Sequence, residues 1–81
     1  MSTYKKQMQK LMAWSATTRI VVRARNAYLK MIEYPATSYF EGEYNGLMIA
    51  LCEVLDIGVG SLEREDFYHH FEAETEEILG C

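Results

Sequence analysis

Proline occurs once, at Pro35, and histidine and cysteine twice each. So little proline leaves room for long helices. Two cysteines make no disulfide framework; Cys52 reads as a small core hydrophobe and Cys81 as a free tail thiol. No apolar run approaches the roughly 18 residues of a membrane span. The early lysines are not followed by the apolar stretch of a secretion signal. These absences predict a cytoplasmic protein with no membrane partner. Internal repeats and low-complexity segments are also lacking.

Acidic residues are missing from the first part of the chain. Before Glu33 stand seven Lys/Arg and no acid; from Glu33 onward stand twelve acids and only Arg64, leaving a net charge of −4. Such segregation bears on association. Either the basic and acidic helices pair, within or between chains, or each meets a different partner. Duplex DNA is disfavoured, because the acidic half repels a long polyanion.

What remains is 81 residues, 49% hydrophobic and 25% charged, enough for one folded domain spanning 1–81. The strongest segment runs from Ser38 to Gly58. Ser38 is placed to cap it, with Glu41 at the reciprocal capping-box spacing, and Gly58 supplies a left-handed stop. Phe40, Tyr44, Leu47, Leu51, Val54 and Leu55 form one apolar stripe at helical steps. Gly42, Gly46 and Ala50 form a second. Each helical glycine costs about 1 kcal/mol against alanine, so this stripe predicts close packing of another helix.

Between Tyr4 and Tyr34 no turn residue intervenes, which predicts one long helix capped by Ser2 or Thr3. One stripe runs through Tyr4, Met8, Leu11, Ser15, Thr18, Val22, Arg25, Leu29 and Ile32; a smaller-sided one runs through Ala13, Ala16, Ile20, Ala24, Ala27 and Met31. The β-branched run from Thr17 to Val22 leaves a short strand as the alternative. A straight helix of about 30 residues would span roughly 45 Å, longer than a compact domain of this size. It therefore bends, near Ser15 to Thr18, or is covered by another copy; Met8, Met12, Trp14 and Met31 favour a homo-oligomer. Ser61 caps an acidic third helix, with Phe67, Phe71, Ile78 and Leu62 on its buried side and Gly80 at its end. The expected fold is all-α: a long N-terminal helix, a central apolar helix and an acidic C-terminal helix, packed in a homo-oligomer.

Few patterns carry chemistry. Asp66, His70 and Glu74 share a helix face at metal-ligand steps, but an acidic helix produces this readily, and no metal or cofactor is expected. Asp56 to Ser61 resembles a glycine loop entering a helix, yet it lacks the lysine of a P-loop and precedes three acids. No catalytic residue stands out, and the expectation is a non-enzyme. Arg19, Arg23, Asn26 and Lys30 form a polar stripe, with Tyr28 and Tyr34 near it and Lys5, Lys6 and Tyr4 at the start. The stripe with Tyr4 and Tyr28 suits an anionic nucleotide held at a subunit junction. Glu72, Glu74, Glu76 and Glu77 present negative charge to a basic protein partner, and their reversal is expected to abolish capture without unfolding. The functional expectation is a binding protein acting by occupancy, as inhibitor or adaptor of a protein; a nucleotide sponge and a structural assembly subunit are the alternatives.

Overall fold

A computed structural model describes residues 3–58 and 60–79, with the side chain of Leu79 left aside. Ser2, Gly80 and Cys81, expected as cap, helix stop and tail thiol, lie outside the described residues. The described chain is all-helical: α1 (Thr3–Met12), α2 (Ser15–Glu33), α3 (Ser38–Val54) and α4 (Leu62–Leu79).

The expected long first helix is two helices. The break falls at Ala13–Trp14, just ahead of the segment where a bend was expected. Trp14 adopts an extended conformation (φ −118°, ψ 130°). The Thr18 hydroxyl donates to the Trp14 carbonyl at 2.9 Å and reaches that of Met12 at 3.3 Å. The Trp14 carbonyl also accepts the Thr18 N–H at 2.9 Å, opening α2. The threonine thus links that turn to the Met12 carbonyl at the end of α1 and stabilises the interruption. The break turns α1 back onto α2 and α4 and buries Met8 and Leu11. The molecule thereby measures 34 × 29 × 24 Å, well short of a straight 30-residue helix. The Thr17–Val22 run is helical, with Thr17 and Val21 buried.

Tyr34 leaves the helical region ahead of Pro35, as a residue preceding proline should. At α3 the expected Ser38 capping box does not form: Thr37 is the N-cap, without a side-chain hydrogen bond. The α3 stop is also not Gly58. Asp56 takes the left-handed conformation (φ 59°). The Ile57 N–H bonds the Cys52 carbonyl at 2.9 Å and the Asp56 N–H bonds that of Glu53 at 3.1 Å, the two bonds of a Schellman motif. Ile57 is buried behind it. At α4 the Ser61 cap is present, its Oγ accepting from the Arg64 N–H at 3.2 Å.

The core joins Leu11, Val21, Met48, Leu51, Cys52, Phe67 and Phe71. Each buried phenylalanine ring contributes about 2 kcal/mol of transfer free energy. On α3 the buried face is rotated toward Met48 and Cys52, leaving Val54 exposed. On α4 the expected Leu62 and Ile78 are exposed, and Thr75 is buried below Phe71. Its hydroxyl donates to the Phe71 carbonyl at 2.8 Å, which removes the cost of burying it. Tyr44 joins three elements, its ring 5.3 Å from that of Tyr28 and 6.5 Å from that of Phe71.

Candidate functional site

The acids expected to face a partner are largely engaged within the fold. Glu72 accepts from the Tyr44 hydroxyl at 2.7 Å and Glu76 from that of Tyr28 at 2.8 Å. Glu74 is paired with Arg25, whose guanidinium also lies 5.8 Å from the Phe71 ring centroid. Three carboxylates of one helix thus fasten it to α2 and α3. Glu77 is exposed and has an interaction of its own.

Burial raises the pKa of each tyrosine in this layer, and the neighbouring carboxylates add to it. Tyr28 is pushed up to about 12 by burial and by its bond to Glu76. Tyr44 is raised further by burial and Glu72. Tyr4 is raised by burial and Glu74; its hydroxyl is buried beside the Arg25–Glu74 pair without closing a hydrogen bond of its own. All three hydroxyls stay protonated, and those of Tyr28 and Tyr44 serve as donors. Burial likewise pushes the Cys52 thiol up, against the lowering effect of Arg64, which keeps it a packing residue.

The six residues expected to hold a nucleotide are not brought together. Arg19, Arg23, Asn26 and Lys30 do line one exposed face of α2. Tyr28 lies on the opposite, buried face, and Tyr4 sits on α1, stacked on Phe67 at 5.8 Å and His70 at 5.5 Å. The aromatic that does meet the stripe is Tyr34, with the Lys30 ammonium 5.6 Å from its ring centroid. Phe40 packs on Tyr34 at 5.8 Å and Tyr39 on Phe40 at 5.4 Å. The four-residue step from Lys30 to Tyr34 was readable in the sequence; the addition of Phe40 required the α2–α3 hairpin.

A cleft of about 490 Å³ lies between α1 and α4, walled by Tyr4, Gln7, Asp66 and His70. Gln7 donates to Glu63 across it at 3.0 Å. Among the described residues no three His, Cys, Asp or Glu side chains are grouped to hold a metal, and Glu74 is turned to Arg25 rather than to His70. Gly42 and Gly46 face open space: a Cβ on either would meet nothing within 4 Å. The stripe therefore admits no neighbour within the chain.

The third exposed feature is one end of the bundle. Tyr4 contacts Phe67 and His70 while Gln7 reaches Glu63, so α1 and α4 run antiparallel. Tyr28 contacts Tyr44 while Tyr34 contacts Phe40, so α2 and α3 do too. The α1–α2 corner and the α3–α4 connection consequently share an end. It carries Met12, Trp14, Val54 and Leu62, with Trp14 71% and Leu62 78% exposed. No described helix is long and apolar enough to cross a membrane. Compared with known protein families, curated proteins and solved structures, the chain matches none.

Proposed function

We propose that this chain is a small non-catalytic binding protein that acts by occupancy on a protein partner, through the end formed by Met12, Trp14, Val54 and Leu62. The observation that carries this reading is the exposure of four large apolar side chains at one end while the core buries its own. Scattered apolar side chains on a surface need no explanation; a group of them marks a contact site. Tryptophan and methionine are enriched at interface centres, and a single such anchor commonly dominates binding. In support of a binding role over a catalytic one, Glu72, Glu74 and Glu76 are engaged in holding α4.

Trp14 is the only tryptophan, so its fluorescence reports its own burial. Tagged wild type, Trp14→Ala and Leu62→Ser proteins are used as bait in parallel, and captured proteins are then titrated against the purified chain. The expected result is a partner that shifts Trp14 emission to shorter wavelength and binds Trp14→Ala at least about 30-fold more weakly. Equal capture by all three proteins, with no change in Trp14 emission, would sink the proposal.

A further inference from the structure

The α2–α3 hairpin has an inner and an outer side. Tyr28 and Tyr44, both bonded to α4, mark the inner side. The outer side carries two stripes. On α2 it shows Arg19, Arg23, Asn26 and Lys30, at steps of four, three and four; on α3 it shows Glu43, Gly46, Ala50 and Glu53, at steps of three, four and three. The Tyr28–Tyr44 ring contact sets the level of the two helices. Counting from it, Arg19 lies level with Glu53 and Asn26 with Gly46, while Lys30 lies level with Gly42, one residue and about 1.5 Å from Glu43. None of these four charged residues forms an ion pair among the described residues.

We infer that this outer side is covered by a second copy of the chain, related by a two-fold axis running along the hairpin. That operation preserves level and exchanges the helices, so α2 of each copy lies on α3 of the other. Arg19 then meets the partner's Glu53 and Lys30 meets the partner's Glu43, twice over by symmetry. Between the two charge pairs, Asn26 and Arg23 descend onto Gly46 and Ala50, where the missing or short side chain gives them room. A two-fold axis running across the hairpin does the opposite. It reverses the levels and sets Arg19 against Lys30 and Glu43 against Glu53, four like-charge contacts. Charge alone therefore selects both the occupant and its orientation.

The test is sedimentation equilibrium on the purified chain, with circular dichroism to confirm folding of each variant; all the altered side chains are exposed. Wild type is expected to dimerise, less tightly as salt is raised. Arg19→Glu and Glu53→Arg are each expected to weaken the dimer at least about tenfold. The combination Arg19→Glu with Glu53→Arg restores the pairs with reversed sign and is expected to recover the dimer. A monomeric wild type overturns the inference. So does a dimer indifferent to the single reversals. A double reversal that stays monomeric also overturns it, and directs the basic stripe to an anionic ligand instead.

Discussion

A tyrosine hydroxyl that donates to a glutamate from a buried position gives up its proton reluctantly. Tyr28 reaches about 12 for this reason, and Tyr44 and Tyr4 are raised too. In the unfolded chain the same groups titrate near 10. Between those values the unfolded state has released protons that the folded state retains. Stability present below pH 10 is therefore expected to fall as pH rises through about 12. Thermal midpoints followed across this range should decline, with tyrosinate absorbance rising as the protein unfolds. Tyr44→Phe removes one donor to Glu72. It should cost about 1 kcal/mol at neutral pH and make the alkaline decline shallower. An unchanged alkaline profile in that variant would show that Tyr44 is not among the groups responsible.

At the scale of elements, stability is decided at helix ends. The α3 stop uses Asp56 in a left-handed conformation, which a residue with a Cβ adopts at a cost of about 1 kcal/mol. Asp56→Gly is expected to stabilise the protein by about 0.5–1 kcal/mol, read as a higher urea midpoint with unchanged slope. A lower midpoint would mean that the Asp56 side chain does more than occupy the turn. The Ala13–Trp14 break is a different kind of end. It has no glycine or proline to cause it, and its Thr18 bonds leave α1 free to fold back over Phe67 through Tyr4.

At the scale of the molecule, α4 is attached by its charges as much as by its rings. Phe67, Phe71 and Thr75 face the core, and beside them Glu72, Glu74 and Glu76 reach Tyr44, Arg25 and Tyr28. Reversing these acids is thus not the neutral surface change expected from the sequence. Changing Glu72, Glu74 and Glu76 together to lysine should loosen α4 and lower stability by several kcal/mol, at about 1 kcal/mol or more per bond. Hydrogen exchange should show loss of protection concentrated in α4. Wild-type protection throughout α4 would mean that the rings suffice to hold it.

Much of this was legible in the sequence. Pro35 marked the end of α2, Ser61 capped α4, and Phe67, Phe71, Tyr44 and Leu51 were readable as core from their helical steps. The exposed Arg19–Lys30 face of α2 followed from the same spacing. All of these are properties of residues within a turn or two of each other, where backbone geometry fixes which side chains share a face. The burial of Cys52 was legible too, but the break at Trp14, the burial of Met48 in place of Val54, and the turning of Tyr28 away from the basic stripe were not. Nor was the engagement of the acids. Arg25 and Glu74 stand 49 positions apart, and Tyr28 and Glu76 stand 48 apart. No local periodicity encodes such pairs. They form because packing four helices into one small volume desolvates whatever polar groups face inward, and the Tyr28 and Tyr44 hydroxyls and the Arg25 guanidinium each take a carboxylate of α4.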